Sequence, residues 1–123
     1  MKRMMFVNRK PPFGSAHPAE LLETVLIAAA FDQEVHLAYL DDGVFQLLRG
    51  QSDSAAGQPP LTAILAELEE YDIDQVWVER QSLEARGLTA ADLAPDGLSN
   101  AVAIIDRDAL AALMADMDVV FSA

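Results

Sequence analysis

Short apolar runs alternate along the chain with segments in which apolar residues recur every three or four positions. A continuous apolar run of a few residues, followed by turn-forming residues, is typical of a strand that is buried on both faces. The sequence therefore predicts five short β-strands, at residues 4–7, 35–40, 76–78, 101–105 and 119–121.

Helical spacing fills the intervals between these runs. The clearest amphipathic pattern covers residues 19–32. Further helices are predicted at residues 44–48, 61–71, 81–86 and from residue 106 onward. Thr89 and Asp92 have the spacing of a capping box. Glycine, proline and small polar residues predict an exposed, mobile loop at residues 49–60 and a turn at residues 95–97.

The alternation of strands and helices predicts the fold. Parallel strands need crossover connections, and helices supply them while covering the sheet. We therefore predict a single α/β domain over residues 1–123, with a three-layer α/β/α architecture and a mostly parallel five-stranded sheet of the flavodoxin/Rossmann-like type. Right-handed crossovers bring the carboxyl ends of the strands to one edge, where ligands and partners of such sheets usually bind. The loops predicted at that edge are residues 8–18, 41–43 and 79–87.

Composition excludes several kinds of function. The chain has no cysteine, so it has no disulfide, no thiolate zinc site and no sulfur nucleophile of its own. His17 and His36 are its only histidines, and the latter fits a satisfied core or interface histidine in an apolar strand. The balance of 20 acidic against 8 basic residues gives a net charge of -12, which disfavours direct contact with nucleic acid.

The predicted location is cytoplasmic. No apolar run is long enough to cross a bilayer, and no small-residue cleavage site follows the short N-terminal apolar stretch. Four of the basic residues, Lys2, Arg3, Arg9 and Lys10, flank the first predicted strand. They are either solvated strand ends or a local positive patch that docks an acidic partner.

The acidic pair that follows the second strand does not fit a magnesium site. A phosphoryl-accepting receiver needs acids at separate strand ends and a lysine on a late strand. Here Asn8 follows the first strand, and no lysine occurs after Lys10. We predict no metal, no cofactor and no catalytic residue, with one acid capping the next helix. Arg80 and Arg86, beside the third strand, can bind an anion or a partner's acid, or form surface salt bridges.

The most specific string in the chain begins with Phe31-Asp32, continues with Tyr39-Leu40-Asp41-Asp42-Gly43-Val44-Phe45-Gln46-Leu47, and ends with Gly50-Gln51. Together with residues 82–88 and 118–121, this string resembles the TusC/DsrF family of the DsrE-like superfamily, and the resemblance runs from end to end. Residues 8–14 are more similar to the DsrF branch than to the TusC branch.

The resemblance implies a function. Members of this family are subunits of a cytoplasmic heterohexamer, two copies each of three homologous chains, which passes persulfide sulfur between proteins. The sulfur serves either 2-thiouridine synthesis in tRNA or dissimilatory sulfur oxidation. The partners implied are DsrE/TusD-like and DsrH/TusB-like subunits and, through the complex, sulfur donor or acceptor proteins. The transferring cysteine lies on the DsrE/TusD chain, after its third strand. The matching residues here, 79–82, contain none, so we predict a non-catalytic subunit.

Without a thiol of its own, such a subunit acts through its surface, and we predict an interface over residues 41–51. A helix as short as 44–48 needs a packing surface, and Phe45 and Leu48 can share one face. The predicted interface residues are Asp41, Asp42, Gly43, Phe45, Gln46, Leu48, Gly50, Gln51, Arg80, Ser82 and Arg86. Two alternatives remain at this point. One is a stand-alone flavodoxin-like enzyme, or a domain that binds an anion or another ligand, using Asp41, Asp42 and Arg80; the other is a homo-oligomeric binding module.

Overall fold

A computed structural model of the chain describes residues 2–10, 24–25, 27–28, 30–31, 33–47, 75–93 and 102–122. The predicted helix at 61–71, the loop at 49–60 and the turn at 95–97 lie outside the described residues. Within the predicted helix at 19–32, residues 24, 25, 27, 28 and 30 are helical; we call them the N-terminal helix.

All five predicted strands are confirmed. The strands are β1 (Arg3–Asn8), β2 (Glu34–Tyr39), β3 (Gln75–Glu79), β4 (Val102–Ile105) and β5 (Val119–Ser122). The helices are α1 (Arg80–Ala85) and α2 (Arg107–Ala115), and two 3-10 helices are η1 (Asp41–Leu47) and η2 (Ala90–Asp92).

The described strands form one sheet in the order β4-β3-β2-β1-β5, and every neighbouring pair is parallel. The predicted mostly parallel sheet is thus confirmed, and these five strands are wholly parallel. Successive strands step in one direction from β1 to β4, and the chain then returns to place β5 on the far side of β1. With right-handed crossovers, this return puts α2 on the opposite face from the earlier connections.

Two core clusters lie on the two faces of the sheet. On one face, side chains of β1, β2 and β3 pack against the N-terminal helix, η1 and α1, with Phe6, Leu37 and Tyr39 almost completely buried. On the other face, Met5 and Ala38 pack against Leu110 of α2. Helices therefore cover both faces, as the three-layer prediction requires.

Local sequence signals explain where the short elements begin and end. Gly87 adopts φ +68, a left-handed conformation that glycine tolerates, and it lies just beyond the end of α1. The capping box of Thr89 and Asp92 is present at η2. Asp106 occupies the N-cap position of α2, but its side chain makes no capping hydrogen bond and binds Arg80 instead.

A chain of polar side chains crosses the amino-terminal edge of the sheet. The Trp77 indole donates to Nδ1 of His36 at 3.1 Å, and Nε2 of His36 lies 2.8 Å from Glu34. Arg3 also donates to Glu34, at 2.7 Å, and pairs with Asp116 beyond α2. His36 is buried and hydrogen-bonded at both ring nitrogens, as expected for a satisfied core histidine, and Trp77 packs with the α2 cluster.

Among the described residues, no helix combines the length and the apolar character needed to cross a membrane.

Candidate functional site at the carboxyl edge of the sheet

The carboxyl ends of β1 to β4 bring the described polar residues of four loops together. Because all strands are parallel, β1 ends beside η1, and β3 and β4 run directly into α1 and α2. We call this region the carboxyl edge. It comprises Asn8, Arg9, Asp41, Asp42, Gly43, Phe45, Glu79, Arg80, Ser82, Arg86, Asp106 and Arg107.

Asp41 has an unusual backbone at this edge. Its φ is +51, and it is the only described residue other than glycine with a positive φ. Aspartate tolerates this region better than most residues, but the conformation still costs on the order of 1 kcal/mol. Two contacts hold it: the Asp41 amide donates to Oγ of Ser82 at 2.9 Å, and the Asp41 carboxylate accepts from Arg9 at 2.9 Å.

Gly43 allows η1 to lie directly against the end of β1. A Cβ atom at this position would overlap the backbone carbonyl of Asn8. The same carbonyl accepts the amide of Leu40 at 3.1 Å, and the Gly43 amide closes a tight turn on the carbonyl of Leu40 at 3.0 Å. This turn makes η1 a 3-10 helix that begins at Asp41, earlier than the predicted helix at 44–48.

Ser82 and Glu79 form a buried polar group beneath Asp41. Both are at least 95% buried, and Oγ of Ser82 donates to Glu79 at 2.6 Å. Arg107 binds both carboxylate oxygens of Glu79, at 3.1 and 3.3 Å. Burial by itself would raise the pKa of Glu79, but the hydrogen bonds from Arg107 and Ser82 outweigh it and hold the pKa below its usual value.

The other two arginines of the edge also pair with carboxylates. Arg86 binds Asp42 at 3.0 Å and donates to the carbonyl of Ser82 at 3.1 Å. Arg80 binds Asp106, and this hydrogen bond is the main reason that the pKa of Arg80 is raised. Arg80 and Arg86 thus form surface salt bridges, which was one of the two alternatives predicted from the sequence. Among described residues, both predicted acids meet arginines rather than the amides of the following turn.

The two sides of η1 have different surroundings. Val44 and Leu47 are fully buried in the core, whereas Phe45, between them, is only partly buried. Gly43 and Ser82 are buried within the chain, so they shape the edge without offering contact atoms of their own. Gln46 lies in η1, while Leu48, Gly50, Gln51 and His17 lie outside the described residues.

Two buried polar atoms near the strand ends lack a hydrogen-bond partner in the described structure: Oδ1 of Asn8 and the hydroxyl of Tyr39. The two residues are register partners on β1 and β2. Burial raises the pKa of the Tyr39 hydroxyl, which therefore stays protonated.

The chemistry available at this edge is limited. Ser82 donates a hydrogen bond to a carboxylate whose pKa is lowered, and because such a carboxylate is a weak base, the pair is poorly suited to activating a nucleophile. Within the described ranges, no three histidine or acidic side chains group as metal ligands would. The arrangement offers a surface held in shape by paired charges.

Sequence reasoning identified more than half of this edge, including Gly43 and Phe45. Hydrogen bonds join Ser82 to Asp41 and to Arg86, and Arg86 to Asp42. Arg80, which was also predicted, binds Asp106 instead. Sequence reasoning missed Glu79 and Arg107, although a charged residue at the end of an apolar strand is a usable sign. The four basic residues around β1 cannot form a single patch, because Lys2 and Arg3 lie at the opposite end of the strand from Arg9 and Lys10.

Comparison with known proteins assigns a family. The family model described as "DsrE/DsrF-like family" matches residues 2–123. The "Intracellular sulfur oxidation protein DsrF" of Allochromatium vinosum is 41% identical over 131 residues, which cover 99% of this chain and 96% of that protein. A "Protein TusC homolog" of Pseudomonas aeruginosa is 34% identical and covers 97% of this chain and 96% of its own length. A second one, of Vibrio parahaemolyticus, is 36% identical over 78% of this chain and 81% of its own.

A solved structure has the same fold. The crystal structure of the ychN protein from E. coli superposes with a TM-score of 0.82, covers the whole of both chains and is 22% identical in sequence. The family match extends over almost the entire sequence, and the relatives align over nearly their full length. This chain belongs to the DsrE/DsrF-like family.

Proposed function

We propose that this chain is a non-catalytic subunit of a cytoplasmic sulfur-relay complex, in which persulfide sulfur passes between partner proteins. The main support is the combination of a family relationship to DsrF and TusC proteins with the absence of any cysteine. Sulfur relay requires a thiolate that attacks a persulfide sulfur, and the oxygen of a serine is not ionised at neutral pH. The cysteine must therefore belong to another chain.

The residues in the matching segment support this role. Residues 79–82 are the last residue of β3 and the first turn of α1, the segment in which the resemblance places the cysteine of the partner subunit. In this chain, Glu79 and Ser82 are buried there and bonded to each other. A segment with this arrangement contributes to the shape of the carboxyl edge and offers no reactive group to a donor.

The contact surface that we propose is the carboxyl edge, including the partly exposed Phe45 of η1. Protein interfaces are enriched in aromatic residues and arginine and depleted in lysine and glutamate. Phe45 is a partly exposed aromatic residue of η1, and Arg9, Arg80, Arg86 and Arg107 belong to the other loops and helix starts of the same edge. Each arginine already has a carboxylate partner, so burial under another chain would leave none of these four cations unpaired.

We propose that the occupants of this surface are the homologous DsrE/TusD-like and DsrH/TusB-like subunits, in a heterohexamer with two copies of each chain. The DsrF relative, named for intracellular sulfur oxidation, has the higher identity of the relatives compared, and we propose the sulfur-oxidation branch over tRNA thiolation on that ground.

Two measurements test the proposed function. First, the isolated chain is incubated with a persulfide donor and analysed by intact-protein mass spectrometry; we expect no added sulfur. Second, the chain is co-expressed with its homologous partners, and we expect one complex containing all three chains. A chain that acquires a persulfide by itself, or that stays monomeric beside its partners, contradicts the proposal.

A further inference from the structure

A single hydroxyl group connects two loops of the carboxyl edge. Oγ of Ser82 accepts the amide of Asp41 at 2.9 Å and donates to a carboxylate oxygen of Glu79 at 2.6 Å. The donor and acceptor capacities of a hydroxyl are both used in this arrangement. We call the Asp41 amide, the Ser82 hydroxyl and the Glu79 carboxylate the Ser82 bridge.

The bridge is buried and fixed from the far side. Ser82 and Glu79 are 2% and 5% exposed. Arg107, at the start of α2, donates at 3.1 Å to the same Glu79 oxygen that accepts the hydrogen bond from Ser82. The hydrogen bonds thus run from α2 through the end of β3 to the first residue of η1, and they link elements that are far apart in the sequence.

Asp41, at the end of the Ser82 bridge, has the unfavourable backbone conformation of this edge. Asp41 adopts φ +51, and unfavourable backbone conformations persist where the surroundings determine them strongly. Arg9 holds the Asp41 side chain, but Ser82 holds its backbone amide. The direction in which η1 leaves β2 depends on this backbone.

We propose that Ser82 is a positioning residue: through the bridge to Glu79 it holds Asp41 in its left-handed conformation and so fixes the orientation in which η1 presents Phe45. The effect of this orientation on partner binding rests on the proposed function. The effect on the backbone of Asp41 and η1 does not, and it can be measured on the chain alone.

Hydrogen exchange of backbone amides in the intact chain tests the first part. Ser82→Ala removes the hydroxyl and leaves the Asp41 amide without its acceptor. We expect exchange at Asp41 to accelerate about tenfold, with a rise through η1, while β1 and β2 keep their protection. Ser82→Thr retains a hydroxyl and should restore much of the protection. Ser122→Ala, at an exposed serine of β5, is the matched control and should change nothing at η1.

Two outcomes would overturn the inference. One is a Ser82→Ala chain in which the Asp41 amide is as protected as in the parent chain. The other is acceleration spread evenly over the sheet, because the hydroxyl would then contribute only general stability.

A second measurement needs no change at Ser82. The Asp41 amide resonance of the parent chain should show a titration step below pH 4.5, as Glu79 at the other end of the bridge becomes protonated. Glu79→Gln should remove that step alone. The charged groups facing the bridge are Arg107, the Asp41 carboxylate and Arg9. Persistence of the step in Glu79→Gln would overturn the inference even if Ser82→Ala fails to fold.

Binding to the co-expressed partners tests the second part. We expect Ser82→Ala to weaken assembly about tenfold and Ser82→Thr to weaken it less. If the parent chain binds no partner, the proposed function fails while the exchange result still decides the role of Ser82. If the parent chain assembles and Ser82→Ala assembles equally well despite faster exchange, the claim that η1 orientation governs binding is wrong.

Discussion

Both edges of the sheet carry arginine–carboxylate pairs, but the pairs at the two edges connect different parts of the structure. At the amino-terminal edge, Arg3 joins Glu34 of the neighbouring strand to Asp116 beyond α2, and His36 extends the network inward to Trp77. These residues connect regular elements to one another. At the carboxyl edge, Arg9 and Arg86 bind the first two residues of η1, and one of these is the left-handed Asp41.

The difference supports the proposal that the carboxyl edge is the contact surface. Ion pairs between neighbouring strands and helices stabilise the fold, and they require no unusual backbone conformation. The carboxyl edge instead keeps an energetically unfavourable conformation and a partly exposed aromatic residue, Phe45. Strained backbone held by several neighbours tends to occur at functional sites. We therefore interpret the amino-terminal edge as structural and the carboxyl edge as the working surface.

The largest expected effect separates the two sides of η1. Leu47 is fully buried, so Leu47→Ala should lower the free energy of unfolding by about 2–5 kcal/mol. Phe45→Ala should cost clearly less stability, because part of that side chain is already in water, and should instead weaken assembly. Urea unfolding of both variants measures the difference. Equal losses of stability would mean that Phe45 belongs to the core rather than to a contact surface.

A smaller effect is expected from the close approach at Gly43. Gly43→Ala forces a methyl group against the Asn8 carbonyl, and we expect a loss of about 1–3 kcal/mol. Gly87→Ala is the control: its Cβ would meet nothing within 4 Å, so the only expected loss of stability comes from placing alanine at a positive φ. Thermal or urea unfolding compares the two. A Gly43→Ala chain as stable as the parent would contradict the tight packing of η1 on β1.

Acid should act on both edges through their glutamates. The pKa of Glu34 is lowered by its hydrogen bonds to His36 and Arg3, and that of Glu79 lies below its ordinary 4.5 despite burial. A carboxyl whose folded pKa is depressed stabilises the fold above its unfolded pKa, and this stability is lost as pH falls through the folded pKa. Stability should therefore decline below pH 4.5. Glu79→Gln should flatten part of that decline in pH-dependent urea unfolding, whereas an unchanged acid profile would mean that Glu79 is not tightly paired.

The smallest effect concerns the arginines that flank β1. Both side chains are at least one third exposed, and exposed ion pairs contribute about 0–1 kcal/mol. Arg3→Ala should cost more stability than Arg9→Ala, because Arg3 bridges β1, β2 and the end of α2. For assembly with partners we expect the reverse order. A stronger effect of Arg3→Ala on both quantities would remove the functional distinction between the edges.

The sequence predicted the strands and the edge well, and for physical reasons. Buried parallel strands need unbroken apolar runs, and the right-handed crossover rule then assigns every following loop to one edge. The loops holding Asp41, Arg80 and Arg86 could therefore be placed together without any coordinates.

The pairing within the edge could not be predicted in the same way. Which carboxylate each arginine binds depends on side-chain directions in three dimensions, so the contacts of Arg107 with Glu79 and of Arg80 with Asp106 had no local sign. The inward direction of the Ser82 side chain depends on its position in α1 and on the start of η1, where the Asp41 amide donates to it. The left-handed conformation of Asp41 likewise could not be predicted, because it accompanies the close packing of Gly43 against the end of β1.

The central claim is that this chain works through its carboxyl edge as an accessory subunit. Native mass spectrometry of the chain co-expressed with its two homologous partners tests it most directly, in the parent form, in Phe45→Ala and in Phe31→Ala. Phe31, on the turn before β2, is 73% exposed and serves as the matched aromatic control. We expect the complete complex from the parent chain and from Phe31→Ala, and a depleted complex from Phe45→Ala. Full assembly of Phe45→Ala would contradict the account, whether or not Phe31→Ala also assembles.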